Sequence, residues 1–167
     1  MIKPPKPDNE RERLKLLHEL LLLDTPPEER LDKIVEFACT EFNVPICLIS
    51  LVDAERQWFK ARVGLAACET PRDISFCAHT ILSDEPLIVP DTLHDSRFHD
   101  NPLVSGPPHI RFYAGAPLTC QDGLVIGTLC LIDRHPRSLD SIDQQILETL
   151  RDLVLNELTP QRNRDNE

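Results

Sequence analysis

Apolar residues along the chain switch between a helical period and a strand period, and the switches divide it into elements. From Glu10 to Leu23, Leu14, Leu17 and Leu21 recur at helical spacing with Leu16, Leu20 and Leu23 beside them, which predicts a helix with a broad leucine face. A second helix opens at once. Thr25 reads as its N-cap, Pro26 as the first helical residue and Glu28 as the partner that completes a capping box. Leu31, Ile34, Val35, Ala38 and Phe42 then form a buried stripe that ends before Pro45.

Strands follow. Ile46 to Val52 is apolar except for Ser50, as expected of a central strand. After the polar turn Asp53 to Arg56, residues 57–63 alternate, with Phe59, Ala61 and Val63 on one face and Trp58, Lys60 and Arg62 on the other, predicting a half-solvated hairpin partner ended by Gly64. Residues 65–110 are irregular. They hold a short helical piece from Ser75 to Leu82, a short strand from Leu87 to Val89, and a turn-rich run from Asp91 to Pro108 stiffened by Pro102, Pro107 and Pro108. A long proline-stiffened connection inside a domain points to a binding loop. Strands at Phe112–Leu118 and Leu124–Ile132, joined through Gln121-Asp122-Gly123, precede a last helix from Asp140 to Leu158 that carries Ile142, Ile146, Leu150, Leu153 and Leu158 and is stopped by Pro160. Hairpin-paired strands with helices at the two ends indicate an α+β fold, an antiparallel sheet with helices on one face. Residues 1–9 read as a flexible lead-in and 159–167 as a polar tail.

Composition narrows the function. With 28 acidic against 18 basic residues the formal net charge is −10, and neither terminus carries a basic cluster. Nucleic-acid binding and adhesion to an anionic membrane are therefore disfavoured. No apolar run is long enough to span a bilayer, and no apolar segment follows Met1-Ile2-Lys3-Pro4-Pro5-Lys6. The expectation is a cytoplasmic protein whose six cysteines are free thiols.

Several blocks, in order, resemble bacterial GAF domains. They are Leu23-Asp24-Thr25-Pro26-Pro27-Glu28-Glu29-Arg30-Leu31-Asp32, Ile49-Ser50-Leu51-Val52-Asp53, Arg56-Gln57-Trp58-Phe59-Lys60 and Pro71-Arg72-Asp73-Ile74-Ser75-Phe76-Cys77-Ala78-His79. Asp91, Asp95-Ser96-Arg97-Phe98, Asn101-Pro102-Leu103-Val104, Ile110 to Leu118 and Gly127 to Asp133 continue the series. The resemblance implies one GAF domain over residues 10–158, of the type attached to diguanylate cyclases and histidine kinases. It further implies a ligand pocket under the long crossover, on the sheet face away from the helices, and terminal helices that pair between subunits. Because the module fills the chain, a stand-alone sensor reporting to a separate kinase or cyclase is expected.

Candidate pocket residues are Asp73, Phe76, Cys77, His79, Asp91, Phe98, His109, Arg111 and Tyr113. Cys77, just after Ser75 as a helix N-cap, is either an activated thiol or a small buried wall residue. Arg111 and Tyr113 alternate on one strand, so Arg111 could clamp an anionic ligand, or it could pair with Asp73 or Asp91 as a structural anchor. Cys77, His79, His94, His99 and His109 match no zinc spacing, so no metal is expected, and no cofactor is implied. The Asn-Lys-Phe-Asp-Glu run of cyclic-nucleotide-binding relatives is absent, and Cys77 is followed by Ala78 rather than by the His of bilin-bearing relatives.

Two functions remain. One is a non-enzymatic sensory module that binds a small ligand, as a homodimer. The other is a thiol-dependent enzyme similar to the free methionine-R-sulfoxide reductases, using Cys77 and Cys68 but without the third cysteine those enzymes carry before the Phe112 strand.

Overall fold

A computed structural model of the protein describes residues 1–159; beyond Thr159, the tail read from the sequence lies outside the described residues, as does Pro160. The elements in chain order are α1 (Glu10–Glu19), α2 (Glu29–Phe42), β1 (Ile46–Val52), β2 (Arg56–Val63), β3 (Glu69–Pro71), α3 (Cys77–Thr80), β4 (Leu87–Val89), α4 (Pro102–Ser105), β5 (Phe112–Thr119), β6 (Val125–Asp133) and α5 (Ser141–Leu158). The six strands form one antiparallel sheet in the order β3-β2-β1-β6-β5-β4. The fold is the α+β arrangement expected.

The strands' period of two separates two cores. Cys47, Ile49 and Leu51 of β1, Ala114 and Ala116 of β5, and Leu129 and Leu131 of β6 point to the side covered by α1, α2 and α5. Ile46, Leu48 and Val52, with Tyr113, Cys130 and Ile132, face the other side, where they meet Phe76, Cys77, Ala78, Ile81 and Phe98 from the crossover. Gly127 lets β6 lie close to β1, since a Cβ there would strike the Ser50 carbonyl.

Three elements depart from the sequence reading. Helix α1 stops at Glu19, and Leu21 takes a left-handed φ of 54° that turns it outward, so the expected helix to Leu23 is four residues too long. Helix α2 begins at Glu29 without the capping box expected from Thr25 and Glu28. Those residues instead build a cage for Lys60, whose Nζ donates to Thr25 Oγ1 at 2.7 Å and Pro26 O at 2.8 Å and pairs with Glu28 at 2.9 Å. Lys60 is therefore buried rather than solvated.

The third departure is in β2, and it explains the second. In the pairing with β1, Ile49 lies opposite Ala61 but Ser50 lies opposite Phe59, so Lys60 is the extra residue of a β-bulge. The bulge reverses the alternation. Phe59 turns to the crossover side while Trp58, Ala61 and Val63 turn to the helices, so the expected Phe59-Ala61-Val63 face does not exist and Trp58 is buried. At the other end, α5 starts as expected, with Asp140 and Asp143 each accepting from the other's backbone N–H at 2.8 and 3.2 Å.

The lead-in crosses the outside of the crossover. Ile2 N–H donates to Arg97 O at 3.3 Å, His79 Nε2 donates to Ile2 O at 3.1 Å, and Lys3 lies 3.5 Å from Asp73.

Candidate functional site

A cavity of about 240 Å³ lies between the sheet and the crossover, on the face opposite the long helices. Ile46, Leu48, Gln57, Phe59, Tyr113, Cys130 and Ile132 supply its sheet side, while Leu65, Ala66, Ala67, Thr70, Leu103, Pro107, Pro108 and Ile110 come from the crossover. Phe76 and Cys77 complete the wall, and among the described residues no Lys, Arg, Asp, Glu or His side chain lines it. Such a mostly apolar hollow with a few convergent polar groups is the usual form of a small-molecule site.

Polar groups enter the wall because lone hydroxyl residues interrupt the two central strands. Ser50 of β1 and Thr128 of β6 lie opposite each other on the crossover face, and both are fully buried. Thr128 Oγ1 donates to Cys77 Sγ at 3.0 Å, and the Tyr113 hydroxyl approaches the same sulfur at 3.4 Å while sharing a 2.7 Å hydrogen bond with Thr80. Cys130 Sγ lies 4.0 Å from Cys77 Sγ. Burial works to raise the Cys77 thiol, but hydrogen bonds from Cys130, Thr128, Tyr113 and Ser50 outweigh it and bring the thiol down to about 7. The same contact, with burial, pushes the Cys130 thiol up, and burial beside Cys77 pushes the Tyr113 phenol up. The position just after an N-cap is not the source. Helix α3 has only four residues, and although the Ser75 hydroxyl accepts from Ala78 N–H at 3.1 Å, the sulfur is tuned by side chains of the sheet.

A second polar cluster centres on Gln57. Its Oε1 accepts from Ser50 Oγ at 3.0 Å and Ser75 Oγ at 2.8 Å, and its Nε2 donates to Thr70 Oγ1 at 2.7 Å. The cluster ties β1, β2, β3 and the start of α3 into one wall.

Of the residues expected at a pocket, Phe76, Cys77 and Tyr113 line the cavity and six lie elsewhere. Phe98 backs the wall: it is fully buried and stacks on Phe76 with ring centroids 4.1 Å apart. His79 packs edge-on against Phe98 from outside, and burial lowers its imidazole. Arg111 takes the anchoring role, donating from Nε and Nη2 to the two oxygens of Asp91 at 3.2 and 3.1 Å, and it does not reach the cavity. Asp73 and His109 are exposed. Among the described residues no three His, Cys, Asp or Glu side chains are grouped to hold a metal. Gln57, Thr70, Ser50, Thr128 and Cys130 are absent from the expected set. The signal for Ser50 and Thr128 was available, since each is a polar residue inside an otherwise apolar central strand.

Cys68 is exposed and opens into a different hollow, with Trp58, Lys60 and Arg62, so it does not share the cavity with Cys77.

Comparison with known proteins agrees with this architecture. The family model described as GAF domain matches residues 26–158. A cyclic di-GMP phosphodiesterase of Pseudomonas aeruginosa is 46% identical over 156 residues, which is 93% of this chain but 27% of that protein, so the chain spans about a quarter of the relative's length. Among solved structures, the GAF domain of an Acinetobacter phosphoenolpyruvate-protein phosphotransferase superposes with a TM-score of 0.67 at 16% identity, covering 93% of this chain and 98% of that one. A free methionine-R-sulfoxide reductase of Neisseria meningitidis superposes with a TM-score of 0.66 at 18% identity, covering 92% and 90%. At these identities the two structures share the fold and no more. The sheet order, the crossover-roofed cavity and the family match together place the chain in the GAF domain family.

Proposed function

We propose that the protein is a sensory and regulatory GAF module of bacterial signal transduction that binds a small molecule in the cavity beneath its crossover. The observation that carries this reading is the cavity itself, a mostly apolar space of about 240 Å³ beneath the crossover with a polar cluster in its wall. The relationship to a cyclic di-GMP phosphodiesterase supports a signalling context. Its place in the cell is the cytoplasm, a reading to which the finding that no described helix is long and apolar enough to cross a membrane is compatible.

In the same reading the module acts as a homodimer and passes its state to a signalling kinase or cyclase. Support comes from Phe37 on α2 and Ile142 and Leu153 on α5, large apolar side chains left 49 to 65% exposed on helices that pack together on the outer layer. Sedimentation as a monomer at high micromolar concentration would exclude this part.

The test of the main reading is native mass spectrometry of protein purified from its own host. A bound mass of small-molecule size, lost when Ile132→Trp fills the cavity, is the expected result. Protein that carries none, and whose Tm no metabolite extract raises, would overturn it. The reductase reading is weakened by the separation of Cys68 from the Cys77 cavity. Turnover of free methionine sulfoxide that disappears in Cys77→Ser would restore it.

A further inference from the structure

Two thiols meet in the cavity wall. Cys77 Sγ of α3 and Cys130 Sγ of β6 lie 4.0 Å apart, both are free and buried, and both line the space. We propose that this pair is a redox site: a small hydroperoxide that enters the cavity oxidises it to a Cys77–Cys130 disulfide. The step goes beyond the reading of the cavity as a ligand site and needs only that the space admit a molecule of that size.

The surroundings of the two sulfurs set their roles. Cys77 Sγ accepts from Thr128 Oγ1 at 3.0 Å, a contact that favours the thiolate, which is the nucleophilic form. Burial and the neighbouring Cys77 push the Cys130 thiol up, so Cys130 keeps its proton while Cys77 reacts first. The other cysteines are placed elsewhere. Cys47 points to the helix side of the sheet, Cys39 and Cys120 pack against that same core, and Cys68 opens into a separate hollow.

Burial selects the oxidant. Cys77 and Cys130 are 2% and 0% exposed, which blocks exchange with a bulky disulfide such as oxidised glutathione. A cavity of about 240 Å³ is several times the ~30 Å³ that a water molecule takes up in the liquid, and hydrogen peroxide is only a little larger than water.

The chemistry closes within the pair. Cys77 Sγ takes the outer oxygen of the hydroperoxide as the O–O bond breaks, and the Cys77 proton leaves with the departing oxygen as water or an alcohol. Cys130 Sγ then attacks the Cys77 sulfenic acid, the S–O bond breaks, and the hydroxyl departs with the Cys130 proton as a second water. Two thiols are oxidised and one peroxide is reduced by two electrons. Bond formation draws the sulfurs from 4.0 Å to about 2.0 Å. Strand β6 is held between β1 and β5, whereas α3 is a single turn on the crossover, so α3 makes the move and carries Phe76 of the same wall with it. The shape of the cavity thereby follows the redox state.

The test treats the full chain with hydrogen peroxide, quenches at intervals, unfolds the protein, blocks the remaining thiols with iodoacetamide and follows each cysteine by peptide mass spectrometry. Cys77 and Cys130 are expected to disappear together, about tenfold faster than the exposed Cys68, and to appear in one cross-linked peptide. Oxidised glutathione is expected to react at Cys68 and leave the pair reduced. In Cys130→Ser, Cys77 should stop as a sulfenic acid, seen as one added oxygen, and in Cys77→Ser, Cys130 should stay a thiol. Loss of Cys68 to peroxide ahead of the pair would overturn the proposal, and the unmodified chain gives that result whether or not either variant folds. Loss of Cys77 with Cys130 still reduced would overturn the disulfide step. Oxidation of the pair by oxidised glutathione as fast as Cys68 would overturn entry of the oxidant through the cavity.

Discussion

The carboxylate of Glu10 holds the guanidinium of Arg72 at two points, 2.5 and 3.1 Å, and so fastens the first turn of α1 to the segment that leads into the cavity wall. Glu10 also accepts from Arg13 at 3.0 and 3.1 Å. Arg13 is fully buried and donates onward to Val52 O at 2.7 Å, while Arg72 donates to Asp53 O at 3.0 Å. One carboxylate is thus shared by two buried guanidiniums and joins α1, β1 and the turn before α3.

Glu10→Gln is therefore expected to destabilise the fold by ~3 kcal/mol at neutral pH, because it leaves both arginines buried without a counter-ion. Burial works to raise the Glu10 carboxyl, but the Arg72 and Arg13 guanidiniums hold it down at about 2. A value below the ordinary 4.5 means the stabilisation is fully present above that pH and is lost as pH falls through about 2. Urea unfolding of both proteins should show their difference constant from pH 7 to 5 and shrinking below it. A difference that does not change with pH would refute the assignment.

Gly115 and Tyr113 form a second coupled pair, two residues apart on the cavity face of β5. A Cβ on Gly115 would strike the Tyr113 hydroxyl and ring, so the tyrosine lies over the space the glycine leaves. Gly115→Ala is expected to cost about 2 kcal/mol by overpacking. In a Tyr113→Ala background the added methyl should cost little, and a double-mutant cycle measured by thermal unfolding should show coupling above ~1 kcal/mol. Additive effects would mean the ring does not occupy that space.

Which parts of the molecule were legible in the sequence follows from how local each determinant is. Helix α5 could be read to within a residue because Asp140 and Asp143 cap it from within four positions. Central strands β1 and β6 could be read because both faces are buried and the apolar run is continuous. The face of Trp58 could not, since a bulge at Lys60 depends on β1 as a partner and on a cage built from Thr25, Pro26 and Glu28. Residues of the site fall the same way. Phe76, Cys77 and Tyr113 sit in blocks that carry the family resemblance; Gln57 sits in one too, but its place in the wall, like that of Thr70, comes from cross-strand pairing that no spacing rule reaches.

Arg111 illustrates the same limit from the other side. Its position two residues before Tyr113 suggested a ligand clamp, but its guanidinium is spent on Asp91. Arg111→Ala should lower stability by about 1 kcal/mol, the scale of a partly exposed bidentate pair, and leave unchanged the affinity for whatever small molecule native mass spectrometry finds bound. Loss of affinity with stability intact would return Arg111 to the site.

The thiols give the last prediction. Cys68 is exposed while Cys77 and Cys130 are buried in the cavity wall, so alkylation of native protein should begin at Cys68, and Cys68→Ser should remove the fast phase. Cys77 differs from its neighbour in the direction of its shift. Its folded thiol, brought to about 7 against an ordinary 9.0, is ionised over a range where the unfolded thiol is not. A lowered folded value adds stability that is full above the ordinary value and is lost as pH falls through the folded one. Relative to Cys77→Ser, the native protein should therefore gain on the order of 1–2 kcal/mol between pH 7 and pH 9, read from urea midpoints at each pH. A gap that stays flat over that range would mean the sulfur remains a neutral thiol and that Thr128 and Tyr113 serve only to fix its position.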